Sequence, residues 1–169
     1  MVFVLFAMKR FEIDVSGEDL LSKNYTICIS DGIEIIKGFK FGEDLVKVLC
    51  SRYGQGLYRY KKSKHGLASF KVRLYCVTIY YLFRSFNIQE GVSLRICRDF
   101  DGRENHIKKM LDDFLREKLK INLSDSIYFE KLSSESFAHK YAGLMRQDIR
   151  NQMNNYIKIT LEDFERWLK

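Results

Sequence analysis

The segment Phe11-Glu12-Ile13-Asp14-Val15 alternates apolar and charged residues, and this period of two predicts a β-strand. Its apolar members face one side of the predicted sheet, so Asp14 points to the opposite side. Aspartate is disfavoured in strands, so its presence here has two interpretations. Asp14 is either a functional carboxylate or a polar residue on an exposed sheet face.

Two further β-prone runs follow the first strand, over residues 25–30 and 33–41, and Asp31-Gly32 separates them. An Asp-Gly pair between such runs favours a hairpin with a type I′ turn, whose two central residues both need positive φ. The first third of the chain therefore predicts a three-stranded antiparallel meander.

The remaining two thirds of the chain alternate between helical and β-prone segments. Short strands are predicted over residues 92–98 and 125–132. Helical spacing is predicted over residues 43–53, 67–86, 103–119 and 136–156, and Thr160-Leu161-Glu162-Asp163 resembles a capping box that opens a last helix. The order β-β-β-α-α-β-α-β-α-α indicates one α/β domain over residues 1–169, with a mixed five-stranded sheet and helices on both faces.

Composition supports a globular chain. Hydrophobic residues make up 46% and charged residues 30% of the 169 residues, a balance that argues against disorder.

The four cysteines, at positions 28, 50, 76 and 97, form no Cys-x-x-Cys pair, which predicts buried free thiols and no zinc site. The apolar run of residues 1–7 is too short for a signal peptide or a membrane span, so we expect a soluble cytoplasmic protein without a membrane partner.

The formal net charge of +7 has two interpretations. It suits a polyanionic partner such as DNA or RNA, and it is equally compatible with plain solubility. Several enzyme classes are excluded by missing motifs: the chain has no glycine-rich phosphate loop after a strand and no Gly-x-Ser-x-Gly elbow.

Four ionisable residues occupy related points in the predicted order of elements. Asp14 lies in the first strand, Asp99 and Asp101 end the fourth strand, and His139 lies in the first turn of the helix after the fifth. Strands one and four are neighbours in a mixed sheet of this order, so these side chains would converge. Clustered carboxylates repel one another unless a cation joins them, and Mg²⁺ or Mn²⁺ prefers such oxygen ligands. A histidine can act as a further ligand or as a proton shuttle. Asp99 and Asp101 could equally be plain turn residues.

Three short motifs resemble a group of RNase H-like (retroviral-integrase-like) proteins of bacteria and archaea. Residues 13–17, Ile-Asp-Val-Ser-Gly, resemble that group's opening Asp-Glu-Ser-Gly strand. Residues 138–143, Ala-His-Lys-Tyr-Ala-Gly, resemble its closing Ala-Asp-Leu-Ile-Ala-Gly helix, and residues 98–103 resemble its acidic turn after the fourth strand. Val15 replaces the group's usual Glu, and His139 replaces its usual Asp. The resemblance implies the RNase H fold and nuclease chemistry, with Asp14, Asp99 and His139 as catalytic residues and Asp14, Asp99, Asp101 and His139 as metal ligands.

Basic residues are candidates for nucleic-acid binding in two places. In the predicted last long helix, Arg146 and Arg150 share a face with His139 and Gly143, a glycine that would permit close approach, while Phe137, Tyr141, Leu144 and Met145 form the predicted core face. In the loop of residues 54–66, Arg59, Lys61, Lys62 and Lys64 are interleaved with Tyr58 and Tyr60. Lysines can contact phosphates and aromatic rings can stack on bases. The alternative is an ordinary solvated loop.

Three hypotheses follow from the sequence. The first is a metal-dependent nuclease in which a metal-activated water attacks a DNA or RNA phosphodiester. The second is a nucleic-acid-binding domain of the same fold with a decayed site. The third is a protein-interaction domain that neither binds nor cleaves nucleic acid.

Overall fold

Strand β1 lies at the centre of a five-stranded sheet. A computed structural model describes residues 8–169, except for the side chains of residues 124–126; the apolar run of residues 1–7 lies outside the described residues. The strands are β1 (Met8–Ser16), β2 (Thr26–Ser30), β3 (Ile36–Lys40), β4 (Gly91–Ile96) and β5 (Leu123–Phe129), and they are arranged in the order β3-β2-β1-β4-β5.

The pairing of the strands makes the sheet mixed, as the sequence predicts. β1 pairs antiparallel with β2, and β2 pairs antiparallel with β3. β1 pairs in parallel with β4, and β4 with β5. The carboxyl ends of β1, β4 and β5 therefore meet at one edge of the sheet.

Residues 8–169 contain five α-helices. They are α1 (Glu43–Gly54), α2 (Lys64–Arg84), α3 (Glu104–Leu111), α4 (Phe137–Gln147) and α5 (Leu161–Glu165). The single helix predicted over residues 103–119 is continuous, but its second half, Asp112–Lys118, is π-helical. The predicted capping box of α5 is confirmed, because the side chains and backbone amides of Thr160 and Asp163 bond reciprocally at 2.8 and 3.1 Å.

Helices cover both faces of the sheet. Ile27 and Ile29 of β2 belong to the large core that contains α2, whereas Cys28 between them belongs to a small core with Ala142 and Met145 of α4. Successive strand residues face opposite sides, so α2 and α4 lie on opposite faces. Every residue of α2 from position 74 to position 83 is buried, so this helix is enclosed on most sides.

The hairpin between β2 and β3 differs from the predicted two-residue turn. Gly32 adopts positive φ, but Asp31 does not, and the loop covers residues 31–35. The Asp31 carboxylate accepts hydrogen bonds from the backbone N–H groups of Ile33, Glu34 and Ile35 at 2.9–3.1 Å, and it pairs with Lys9 at 3.2 Å. A longer loop forms because the side chain replaces a backbone acceptor.

Replacing Asp31 by Ala is expected to destabilise the fold by about 2 kcal/mol at pH 7. Burial alone would raise the pKa of Asp31, but the three amides and Lys9 outweigh it and hold the pKa below its ordinary value. A lowered folded-state pKa gives stability that is present above the unfolded pKa of about 3.9 and lost as pH falls through the folded value. Urea unfolding of wild type and variant should therefore differ less at pH 3 than at pH 7. An equal difference at both pH values would contradict this, and the exposed neighbour Glu34→Ala serves as the control.

Helix α4 corrects two predictions. Its buried face consists of Ala138, Ala142 and Met145, whereas Leu144 is 51% and Phe137 36% exposed. Small alanines allow the helix to lie close to the sheet. Of the predicted core face, Met145 is buried and Tyr141 packs against the small core, whereas Phe137 and Leu144 point outward.

The second correction concerns where α4 ends. The helix stops at Gln147, because the Asp148 carboxylate bonds the backbone N–H groups of Gln152 and Met153 at 3.1 and 3.0 Å and so folds the chain into a turn. The predicted continuation to residue 156 is wrong. Arg150 lies in the segment after the helix and does not share a helical face with His139.

Two further expectations concern the cysteines and membranes. All four cysteines are free; Cys28 and Cys76 are buried, Cys97 is partly buried, and Cys50 is exposed, contrary to the expectation that all four are buried. Among residues 8–169, none of the helices combines the length and the apolar composition needed to cross a bilayer.

Candidate functional site

Asp14 and His139 form a hydrogen-bonded pair between the sheet and α4. The Asp14 side chain leaves β1 on the α4 face and is only 10% exposed. Its Oδ2 atom lies 2.8 Å from His139 Nδ1, and its Oδ1 atom accepts the backbone N–H of Val15 at 2.7 Å. These two residues are 125 positions apart in the sequence, so tertiary folding alone brings them together.

The start of α4 fixes the position of the imidazole. Ser136 is the N-cap, and its hydroxyl accepts the backbone N–H of His139 at 3.4 Å, which places His139 in the first helical turn, as predicted. Since a carboxylate only accepts hydrogen bonds, Nδ1 of His139 carries the proton in this pair. Nε2 is then the free nitrogen of a side chain that is 53% exposed. This arrangement suits an imidazole that exchanges a proton with a bound molecule.

A cavity of about 290 Å³ opens beside the pair, lined by Asp14, Cys97, Arg98, Lys131, Leu132 and His139. Cys97 comes directly after β4, where its backbone N–H bonds the carbonyl of Ile13 at 3.0 Å. Arg98 and Lys131 add two positive charges to a wall that also holds the Asp14 carboxylate. Neither cation is among the basic residues predicted from the sequence, although each lies two residues beyond the end of a strand, at the edge where Asp14 lies.

Cys97 is a protonated thiol at neutral pH. Burial raises its pKa well above the ordinary value, and the Asp14 carboxylate beside it raises it further. A thiolate is the reactive form of cysteine, so Cys97 contributes packing and a weak S–H donor to the cavity wall rather than a nucleophile.

Asp99 lies at the same edge but has a different partner. Its carboxylate accepts a hydrogen bond from the hydroxyl of Tyr25, whose ring is fully buried. Partial burial raises the pKa of Asp99, the Tyr25 bond lowers it, and the charges of Asp14, Asp19 and Asp101 raise it again. The result is a raised pKa, due first to burial and then to the neighbouring carboxylates at this edge.

The predicted metal ligands are therefore brought to one region but not to one point. Asp14 and His139 are in contact, Asp99 is held by Tyr25, and Asp101 is exposed in the turn that ends at Gly102. Among the residues described by the structure, no three His, Cys, Asp or Glu side chains are gathered as a metal-binding group.

Two of the predicted basic residues serve the structure of the loop between α1 and α2. The Arg59 guanidinium donates to the carbonyl oxygens of Trp167 and Lys169 at 3.3 and 3.0 Å. The Lys62 amino group donates to the carbonyl of Gly54 at 2.7 Å. Each cation therefore compensates the carbonyl oxygens at a chain or helix end.

The four other members of the predicted basic set are exposed: Lys61, Lys64, Arg146 and Arg150. Tyr58 is 5% exposed and packs its ring 5.6 Å from that of Phe70. Tyr60 packs on the same ring at 5.8 Å. The two tyrosines are core residues, so they do not provide the base-stacking surface considered from the sequence.

The chain was compared with protein-family models, with curated proteins and with solved structures, and none of the three comparisons finds a match.

Proposed function

We propose that the chain is an RNase H-like domain that hydrolyses DNA or RNA phosphodiesters with a divalent cation, Mg²⁺ or Mn²⁺. The Asp14–His139 pair carries the proposal, because a buried strand carboxylate holds an imidazole whose other ring nitrogen is left for a molecule in the adjacent cavity. The mixed sheet and the order of its elements agree with what the sequence resemblance implies.

The side chains near the cavity are of the chemical types that bind Mg²⁺ or Mn²⁺, but one of them, Asp99, has to change its orientation before a cation can bind. Asp14, Asp99 and His139 offer the oxygen and imidazole donors that Mn²⁺ or Mg²⁺ accepts. The pKa of Asp99 is raised first by burial and then by the charges of Asp14, Asp19 and Asp101, and a nearby cation would offset both effects. Because Tyr25 holds the Asp99 carboxylate, cation binding requires Asp99 to turn from this hydroxyl toward Asp14.

Four residues of the cavity then have distinct roles. A bound divalent cation would supply activation of water and stabilisation of negative charge on the phosphodiester. His139, held at Nδ1 by Asp14, accepts or donates a proton at Nε2. Arg98 and Lys131 line the same cavity and attract the phosphate group that enters it.

The direct test is incubation of the purified protein with 5′-labelled single- and double-stranded DNA and RNA oligonucleotides. We expect shortened products with Mn²⁺, fewer with Mg²⁺, and none with excess EDTA. Equal cleavage in EDTA would mean that the reaction does not use a divalent cation. No cleavage of any substrate, with any of the cations, would overturn the proposal.

A second candidate is a nucleic-acid-binding domain that has lost hydrolysis. It is favoured by the pairing of Asp99 with Tyr25 and by the lack of a ready-made three-ligand group among the described residues. In this case the same oligonucleotides bind with a strong dependence on salt concentration but remain intact with Mn²⁺. Binding and cleavage measured on the same protein preparation therefore separate the two candidates.

A further inference from the structure

Four basic side chains meet where the start of α2 contacts the start of α3. They are His65, Arg103, His106 and Lys109, and we refer to them as the basic cluster. His65 Nδ1 lies 3.3 Å from Arg103 Nη2. A guanidinium only donates hydrogen bonds, so His65 is the acceptor, and its other ring nitrogen carries the proton and faces away.

The basic cluster lacks acidic partners. In the part of the chain that the structure describes, none of its four side chains forms an ion pair with a carboxylate. The charges that act on His106 come from His65 and Arg73 of α2, from Arg103 before α3, and from Lys109 of α3, and all of these are basic groups. Asp113 is an acidic group that acts on Arg73, and Asp101 and Glu104 lie close to Arg103 in the sequence.

The side chains of the basic cluster repel one another electrostatically. Partial burial lowers the pKa of His106, and the basic groups Arg103, His65, Arg73 and Lys109 around it lower it further. Like charges held together without counter-charges repel one another, and an anion that enters between them relieves the repulsion. The cluster is therefore complementary to an anionic group that the chain itself does not provide.

The position of the cluster connects it with the candidate site. Arg103 directly follows the turn that carries Asp99 and Asp101, at the same edge of the sheet as Asp14. Lys64 in the first turn of α2 and Lys61 just before it extend the positive surface. The cluster lies on the α2 side of the sheet and the cavity of Asp14 and His139 on the α4 side, so a polyanion that contacts both passes around this edge of the sheet.

We propose that the basic cluster binds the phosphate backbone of the nucleic acid on which the Asp14–His139 cavity acts, an inference that rests on the proposed function. Arginine pairs with phosphate through two parallel hydrogen bonds, and the histidines and Lys109 add further donors. The large exposed apolar residues, at positions 8, 33, 57, 128, 137, 144 and 149, lie outside the cluster. A bilayer-binding surface combines cations with such residues, so the chemistry favours nucleic acid over a membrane.

Binding should depend on pH through His106. A phosphate placed among these cations stabilises the imidazolium and raises the pKa of His106 from its lowered value. The complex therefore takes up a proton, and affinity rises as pH falls from 8 to 6. One such proton changes the binding constant by at most about tenfold per pH unit.

The test is fluorescence anisotropy with a labelled 20-nucleotide single strand in EDTA, where no hydrolysis occurs. Arg103→Gln should weaken binding at least about fivefold and reduce the slope of log affinity against log salt by about one. His106→Gln should bind as wild type does at pH 8 but lose most of the increase at pH 6. Thermal melting of each variant checks that it folds.

The matched control is Arg84→Gln, which removes the same charge at the opposite end of α2. The helix has 21 residues, so its two ends are about 30 Å apart, and this variant should bind within twofold of wild type. Equal losses in Arg84→Gln and Arg103→Gln would overturn the inference, as would tighter binding to anionic lipid vesicles than to the oligonucleotide. If wild type cleaves with Mn²⁺ but Arg103→Gln binds the oligonucleotide as tightly as wild type, only the role of the basic cluster is refuted. If Arg103→Gln binds more weakly but wild type cleaves nothing, only the proposed hydrolysis is refuted.

Discussion

Asp14→Asn is expected to reduce Mn²⁺-dependent cleavage at least about 100-fold, the size of effect found when a general acid–base group is lost. The substitution keeps the shape of the side chain but removes its charge. His139 loses the anion that fixes its Nδ1 proton, and the proposed cation loses its most buried oxygen ligand. Initial cleavage rates of wild type and variant in the same preparation series measure the effect.

The same variant has a second readout that needs no activity. The Asp14 carboxylate contributes to the raised pKa of Cys97, after burial, so Asp14→Asn should lower the pKa of this thiol. In a Cys50→Ser background, which removes the exposed cysteine, Cys97 should react faster with a thiol reagent at pH 8 in the variant than in the parent. Unchanged reactivity would show that Asp14 does not lie against Cys97.

A matched control distinguishes a specific loss from a general one. Asp44→Asn makes the same chemical change at an exposed position in the first turn of α1, and it should retain full cleavage. Full cleavage by Asp14→Asn would place the chemistry elsewhere or reveal a contaminating nuclease. A folded but inactive Asp44→Asn would show that the assay responds to any loss of negative charge.

The order of the elements was predictable because it depends on local patterns. Alternation in β1, the β-prone runs of β2 and β3 and the apolar stretch of α2 are each visible within about ten to twenty residues. The details that failed depend on single polar side chains. Asp31 accepts three backbone amides and lengthens the hairpin, and Asp148 bonds two amides and ends α4 nine residues before the predicted boundary at 156.

The candidate site was only partly predictable, for a related reason. The proximity of Asp14 and His139 was predictable from the topology, because a residue in β1 and a residue at the start of the helix after β5 lie near one another in a sheet of this order. The partner of Asp99 was not predictable, because the Tyr25 hydroxyl reaches Asp99 only after the core has packed around the tyrosine ring. Similarly, hydrophobicity favours Phe137 and Leu144 as core residues, whereas close packing on the sheet selects Ala138 and Ala142.

Gly66→Ala is expected to destabilise the protein by about 3 kcal/mol, although alanine normally stabilises a helix relative to glycine. A Cβ atom at Gly66 would lie 1.9 Å from the carbonyl oxygen of Lys61 and 2.8 Å from its carbonyl carbon. This carbonyl cannot move freely, because it accepts hydrogen bonds from the Tyr53 hydroxyl at 2.7 Å and the Ser63 N–H at 3.0 Å. The loop before α2 would have to leave the helix or break these bonds.

The control for Gly66→Ala is Gly143→Ala in α4. A Cβ atom at Gly143 meets nothing within 4 Å, which also means that this glycine does not permit the close approach expected from the sequence. The substitution should therefore stabilise the protein by up to about 1 kcal/mol, the difference in helix propensity between the two residues. The melting temperature should change in opposite directions for the two variants. It should fall by roughly 10 °C for Gly66→Ala and rise by a few degrees for Gly143→Ala. If both variants were stabilised, the loop could not lie against the first turn of α2, and the placement of Lys61 and Lys64 beside the basic cluster would be wrong with it.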